Sequence, residues 1–206
     1  MKDIHNVEVV ANIQDFVSNL ESVIAAQIMA DIDRANNFQK ITEEIYSLLT
    51  SGRLVKPKMS NRKTITVSDN VATVSGWDSL NPKWKQSIKQ NKGIYLEQDK
   101  SQVQEYYENL RTEFNRYGYQ TKTWELDPKN DLGKHYRSHA EKQISIIQPD
   151  NSIGVSRGMC EEDCYPYFYA LAQIRQQNII IADPNGIWLF YTHGQVKFVY
   201  HRYLSK

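Results

Sequence analysis

The sequence predicts an α/β protein in which a mixed sheet is flanked by helices and preceded by an N-terminal helical subdomain. Apolar residues recur at helical spacing between residues 6 and 50, whereas the C-terminal third holds short apolar runs of strand length. Two of these runs, 179–182 and 187–190, are separated only by Asp183-Pro184-Asn185-Gly186. A crossover between parallel strands needs about a dozen residues, so this tight turn predicts an antiparallel C-terminal hairpin.

Residues 1–52 form the predicted helical subdomain, which Ser51-Gly52 ends. Eight acidic residues against three basic ones in 1–50 give it an acidic surface, which favours a packing or adaptor role over nucleic-acid binding. The apolar positions at helical spacing are Val7, Val9, Val10, Ile13, Phe16, Val17, Leu20, Val23, Ile24, Ile28, Ile41, Ile45, Leu48 and Leu49.

Residues 53–100 form a predicted basic connecting region. Residues 64–67 and 71–74 alternate around Ser68-Asp69-Asn70, which predicts a hairpin. Basic side chains interleaved with an exposed Trp84 would suit a phosphate backbone and a stacked base, whereas the alternative is a solvated loop and a helix with a buried tryptophan. The basic residues are Arg53, Lys56, Lys58, Arg62 and Lys63 before the hairpin, and Lys83, Lys85, Lys89 and Lys92 after it.

Residues 101–206 form the predicted α/β core. Apolar spacing predicts a helix over 101–117 that Gly118 ends, and alternation predicts a strand over 119–126. A turn signal at 127–130 then leads towards a histidine-bearing helix. The first hairpin of this core is therefore either 64–74 or 119–126.

The residues with the clearest chemistry are His139 and Glu141, followed by Cys160 and Cys164, the only two cysteines. A neutral imidazole and two thiolates suit Zn²⁺, and a carboxylate that does not bind the metal can move protons beside it. Taken singly, each has a structural alternative. Glu141 could close a capping box with Ser138, and the cysteines could be buried thiols.

The segment from His139-Ala140-Glu141-Lys142 to the end resembles the zinc-dependent nucleic-acid and nucleotide deaminase superfamily, in particular its bacterial-toxin and plant DYW-type branches. The resemblance covers roughly the last seventy residues and follows the signature H-x-E…C-x-x-C, except that Cys160 and Cys164 are four apart rather than three. The other matching segments are 153–157, 179–183 and 187–190. It implies a deaminase-like sheet with antiparallel final strands, zinc on His139, Cys160 and Cys164, and Glu141 as the catalytic proton carrier.

The resemblance further implies hydrolytic deamination, with cytosine as the favoured base. The basic region favours nucleic acid, DNA or RNA, over a free nucleoside or nucleotide. The chain could instead be a thiol-dependent hydrolase that uses Cys160 or Cys164 with His193 or His139 as base, or an inactive deaminase-fold interaction module. An immunity protein is the expected partner of a toxin. Candidate substrate contacts are His135, Tyr136, Arg137, Ser156, Arg157 and Trp188.

The cysteines are expected at a helix N-terminus, where the partial positive charge favours the thiolate. Glu161, Glu162 and Asp163 are expected in the same first turn, where they would compensate the helix dipole. Glu161 is also a substitute ligand should Cys160 point away from the metal.

The sequence has no run of eighteen apolar residues and no basic-then-apolar leader. No contact with a membrane is expected. Two cysteines in such a chain indicate a reducing compartment, where metal binding is favoured over a disulfide. We expect a cytoplasmic protein, or an effector exported without a classical signal peptide.

Overall fold

The computed structural model describes residues 7–9, 22–51, 63–76, 81–120 and 139–201. Within these ranges, eight strands form one mixed sheet, and helices flank it, so the predicted class is confirmed. The strands are β1 (Val7–Val9), β2 (Ile65–Ser68), β3 (Val71–Val74), β4 (Tyr95–Leu96), β5 (Ser152–Val155), β6 (Ile179–Asp183), β7 (Gly186–Phe190) and β8 (Val196–Tyr200). The helices are α1 (Ser22–Ser51), α2 (Pro82–Lys92), α3 (Lys100–Asn109), α4 (Arg111–Arg116), α5 (Ala140–Ile147) and α6 (Cys164–Arg175).

The strand order is β1-β8-β7-β6-β5-β2-β3-β4. Two predicted hairpins are present: β2 pairs antiparallel with β3, and β6 pairs antiparallel with β7. Strands β5 and β6 are parallel neighbours whose connection contains α6. Of the two candidate first hairpins, 64–74 lies in the sheet beside β5. Tyr119 and Gln120 are not in a strand, and 121–126 fall outside the described residues.

Alternation along the central strands divides the core between two faces of the sheet. On β6, Ile180 and Ala182 pack with α1, whereas Ile179 and Ile181 join the cluster of α5 and α6. We call these the α1 face and the α5–α6 face. The α5–α6 face also carries residues of α3 and α4 and is rich in aromatic rings.

Helix α1 lies across the sheet and contacts both of its halves. Its N-terminal half packs on β6, β7 and β8, and its C-terminal half packs on β2, β3 and β4. Between the two, Gly154 of β5 faces α1 so closely that a Cβ there would overlap the backbone of Phe38 and Gln39. Helices were predicted over 6–50, and within the described residues 22–51 form one helix that lies directly on the sheet. The predicted domain boundaries stay predictions.

Two of the predicted helical segments differ in the structure. Val7–Val9 is a strand that pairs in parallel with β8, so the predicted helix is wrong there. β-Branched valines occur in helices and are enriched in strands, and here the pairing with the distant strand β8 determines that the segment is a strand. The helix predicted over 101–117 is broken at Leu110 into α3 and α4. Gly118, at φ +81°, follows α4 as predicted.

No helix in the described ranges is long and apolar enough to span a bilayer.

Candidate metal site

Helix α5 carries the predicted histidine and glutamate into the interior of the protein. It begins at Ala140 with His139 as N-cap, whereas the capping-box alternative would place the cap at Ser138. Every residue from Ala140 to Ile146 is buried, although the sequence AEKQISI contains four polar side chains. Hydrogen bonds from side chains to backbone carbonyls connect the helix with β3. One of them runs from Thr73 Oγ1–H to the Ala140 carbonyl at 2.7 Å.

The two cysteines lie close to the start of α6. The helix begins at Cys164, and Cys160 lies in the turn before it. Glu161 and Glu162 are exposed in that turn, and Asp163 is the N-cap, so the expectation that these acids occupy the first helical turn is wrong.

His139, Glu141 and Cys164 converge. The His139 Nδ1 atom lies 3.1 Å from Cys164 Sγ. One ligand atom from each of the three residues lies within 4.8 Å of the others, so the group could hold a metal ion. Cys160, the other predicted ligand, is not a member of this group, although its thiol interacts with that of Cys164. Glu161, the suggested substitute ligand, is exposed and is not a member of the group.

The two thiols have opposite protonation tendencies. The hydrogen bond from Cys164, together with the backbone N–H groups of Cys164 and Asp163, lowers the pKa of Cys160 to about 6. Burial raises the pKa of Cys164 well above its usual value. The Cys164 side chain and the N–H groups at the start of α6 therefore favour a thiolate at Cys160, whereas burial opposes one at Cys164.

Burial also favours the neutral forms of His139 and Glu141. It lowers the pKa of His139 to about 4, and the nearby Lys142 adds to that shift. It raises the pKa of Glu141 to about 7. The Glu141 Oε2 atom is buried and has no hydrogen-bond partner among the described residues. An unsatisfied buried carboxylate oxygen is costly unless a further group pairs with it.

Three residues beside this group were not predicted from the sequence. Lys142 is fully buried and forms an ion pair with Asp163, while its Nζ atom donates a hydrogen bond of 2.6 Å to the Tyr119 hydroxyl. The hydroxyl in turn donates to Asp163 Oδ1 at 3.3 Å. A lysine next to a glutamate normally indicates a solvated helix surface. The only signal available was the position of Lys142, three residues after His139 on the same helical face.

The predicted substrate contacts lie in different surroundings. Ser156 extends the pairing of β5 with β2, since its Oγ accepts the Ile65 N–H at 2.9 Å. Arg157 is exposed. Trp188 is largely buried on the α5–α6 face, with its Nε1–H donating to Asp183 Oδ2. His135, Tyr136 and Arg137 lie outside the described residues.

The thiol-hydrolase alternative named two candidate bases. His193 lies in the β7–β8 turn, where it is paired with Gln195 and stacked near Tyr191. His139 is the histidine that contacts a cysteine. The structure therefore favours His139 over His193 as a partner of the thiols.

The basic helix α2 lies away from these residues. Its buried Ile88 belongs to the same cluster as Phe38 and Ile45 of α1, so α2 covers the α1 face. Trp84 is half-buried against that cluster rather than fully exposed. The four lysines predicted to contact phosphate, Lys83, Lys85, Lys89 and Lys92, are exposed, and Lys92 is paired with Glu44.

The donor set fits a zinc ion. Sulfur and imidazole ligands are those that zinc prefers, and a lowered pKa at His139 keeps its ring neutral and free to bind metal. The unpartnered Glu141 oxygen would gain a partner in a water molecule beside the metal. His139 and Cys164 would therefore be the ligands that this group offers, with Glu141 beside them, and Cys160 is not a member of the group.

The chain was compared with known proteins. No protein-family model matches it, and a search of curated proteins gave no match. What this site does is therefore inferred from its own chemistry and from the sequence motif.

Proposed function

We propose that this protein is a zinc-dependent hydrolytic deaminase of a nucleobase, with cytosine in nucleic acid as the favoured substrate. The observation that carries the proposal is the buried Glu141 carboxylate, which adjoins the ligand atoms of His139 and Cys164 and has one unpartnered oxygen. A buried carboxylate with a pKa of about 7 is suited to accept and return a proton near neutral pH.

Each side chain of the group would have a separate task. His139 would offer a neutral nitrogen, and Cys160 would offer a sulfur that is already ionised at pH 7. Cys164 would lose its proton as metal binds. When bound, zinc would act as a Lewis acid that makes water a nucleophile near neutral pH.

Glu141 would carry the proton through the reaction. It takes a proton from water as the water oxygen attacks the amino-bearing ring carbon, and it gives that proton to the ring nitrogen. A second transfer protonates the departing amine. Cytosine and water thereby yield uracil and ammonia, and Glu141 returns to its starting state.

The substrate would approach from the side of His139 and Cys160. The His139 side chain is 28% exposed and Cys160 is half-buried, whereas Glu141 and Cys164 are buried. A base in a duplex would have to leave the stack to reach this depth. The lysines of α2 lie on the α1 face, so they would bind phosphates distant from the reacting base. A long nucleic acid could contact both, and a free nucleoside could not.

The first test is metal content together with deamination. We expect near-stoichiometric zinc in the wild-type protein, loss of zinc in Cys160→Ser, and conversion of cytosine in single-stranded DNA, duplex DNA, RNA or cytidine. Glu141→Gln should retain zinc and lose roughly 10²- to 10⁴-fold in turnover, because only proton transfer is removed. Glu162→Gln makes the same chemical change on an exposed side chain and should be fully active.

Two results would contradict the proposal. One is wild-type protein without zinc when it is purified in the absence of chelators. The other is undiminished turnover in Glu141→Gln.

A second candidate function is a thiol-dependent hydrolase, and the observation that favours it is the low pKa of the half-buried Cys160. Such an enzyme would keep its activity in the presence of chelators and lose it on treatment with iodoacetamide. A zinc enzyme would show the reverse, because the metal protects its thiolates.

A further inference from the structure

The buried ion pair between Lys142 and Asp163 links the two helices that carry the predicted zinc ligands. Lys142 lies three residues after His139 on α5, and Asp163 immediately precedes Cys164 as the N-cap of α6. The pair therefore connects the histidine end of one helix to the cysteine end of the other. Both side chains are almost completely inaccessible to solvent, at 0% and 4% exposure.

The surroundings of the pair leave it little freedom to move. The Lys142 Nζ atom lies 4.9 Å from the ring centroid of Tyr119, 5.3 Å from that of Tyr167 and 5.9 Å from that of Tyr107. The Tyr119 hydroxyl bonds both charged groups and closes a triangle. Aromatic faces and a hydrogen-bonded hydroxyl thus fix the ammonium group from several directions.

A buried ion pair is not needed for stability alone. Its desolvation cost often matches its Coulombic gain, and apolar residues of similar volume frequently replace such pairs without loss. Asp163 also lies close to the predicted ligands, since its Oδ2 atom is 4.0 Å from His139 Nδ1. The position of the pair therefore indicates a role in the arrangement of the ligands.

We propose that Lys142 and Asp163 are positioning residues that set the distance between His139 and the two cysteines. The inference rests on the proposed function for the identity of the metal. If the pair is removed, His139 and Cys164 keep their helices but lose their fixed separation, so the protein should bind zinc more weakly and with altered geometry.

The test uses the double variant Lys142→Met/Asp163→Asn in the full chain. Methionine can fill the space between the tyrosine rings, and asparagine can still accept the Tyr119 hydrogen bond, so no unpaired charge remains. Each single variant should lower the melting temperature more than the double variant does, because each leaves one buried charge. Zinc affinity of the double variant, measured by competition with a chromophoric chelator, should fall by about 10- to 100-fold.

The matched control is Arg175→Met. Arg175 also links α6 to α5, since its Nη2–H donates to the Ser145 carbonyl at 2.7 Å, but it does so at the far ends of the two helices. This variant should lose stability and retain wild-type zinc affinity. The absorption spectrum of the Co²⁺-substituted protein is the second readout, because it reports ligand geometry. It should change in the double variant and stay unchanged in Arg175→Met.

The outcomes separate this inference from the proposed function. A folded double variant with wild-type zinc affinity and an unchanged Co²⁺ spectrum would overturn the inference and leave the deaminase proposal intact. A wild-type protein whose zinc affinity depends on the pair, but which deaminates no cytosine substrate, would overturn only the proposed function. If the double variant does not fold, Tyr119→Phe decides. Weaker zinc binding at an unchanged melting temperature supports the inference, and unchanged zinc binding overturns it.

Discussion

The two faces of the sheet bury very different chemistry. On the α1 face, one long helix packs mainly aliphatic side chains on the strands. The buried Asp31 there pairs with Arg34, whose side chain is 43% exposed, so water still reaches one partner. On the α5–α6 face, Lys142, Asp163 and Glu141 are all buried, and the Lys142 ammonium group lies close to three tyrosine rings.

The two faces therefore differ in how much compensation their buried groups need. Aliphatic packing of the α1 kind stabilises a fold with little penalty, whereas fully buried charges must be compensated group by group. Changes on the α1 face should therefore alter stability and leave the metal site unchanged. Changes on the α5–α6 face should alter both.

The largest expected effect on stability is that of Gly154→Ala on the α1 face. The added Cβ would overlap the backbone of Phe38 and Gln39, so α1 must move away from β5, at a cost of about 3 kcal/mol. Chemical denaturation measures this loss, and zinc affinity of the folded protein should not change. Gly93→Ala is the control. It has open space but a φ of +67°, so it should cost about 1 kcal/mol. A large change in zinc affinity in Gly154→Ala would mean that the two faces are coupled.

A smaller effect is expected from Asp183→Asn, on the α5–α6 face. Its Oδ2 atom accepts the Met159 N–H and the Trp188 Nε1–H, and its Oδ1 atom accepts the Asn185 and Gly186 N–H groups. Whichever way an asparagine amide is turned, its NH₂ group faces two donors. We expect a loss of about 2 kcal/mol in denaturation experiments.

This variant should also weaken zinc binding, because Met159 immediately precedes Cys160 in the segment that Asp183 anchors. Glu162→Gln makes the same carboxylate-to-amide change on an exposed residue and should alter neither quantity. Unchanged zinc affinity in an Asp183→Asn protein of reduced stability would show that the anchor serves the fold only.

The smallest expected effect is a difference in alkylation between the two cysteines of the α5–α6 face. In metal-free protein, iodoacetamide should modify Cys160 and spare the buried Cys164. The thiolate of Cys160 forms as pH rises through its pKa of about 6, so its alkylation rate should rise about tenfold between pH 5 and pH 7. Mass spectrometry of quenched samples measures both sites. Equal modification of the two thiols would contradict the different protonation tendencies of Cys160 and Cys164. So would a pH profile of Cys160 alkylation with its midpoint near 9, the usual range for a thiol.

Local sequence signals predicted the parts of the fold that depend on neighbouring residues. The β2–β3 hairpin follows from alternation on either side of a polar turn, and the β6–β7 hairpin follows from Asp183-Pro184-Asn185-Gly186. The convergence of His139, Glu141 and Cys164 was predicted from motif and order, and the structure brings their ligand atoms within 4.8 Å. Cys160, the other predicted ligand, is not a member of that group.

The features that were missed depend on distant partners. Val7–Val9 is a strand because β8 is available to pair with it, and β8 is almost a full chain length away. Lys142 is buried because Asp163 and Tyr119 come from other elements. A window of neighbouring residues contains none of these partners, so its local preference indicated a helix in the first case and a solvated surface in the second.

The position of α1 across the sheet has a consequence for how the protein folds. Helix α1 and the β2–β3 hairpin come early in the chain, but β5, which joins them to the C-terminal strands, comes only at residue 152. Contacts between residues so far apart in sequence make folding slow. During synthesis, the C-terminal half of α1 can pack on the hairpin, but its N-terminal half lacks its partner strands until β6, β7 and β8 emerge. Strand β5 therefore joins the two halves of the sheet before β6, β7 and β8 complete it.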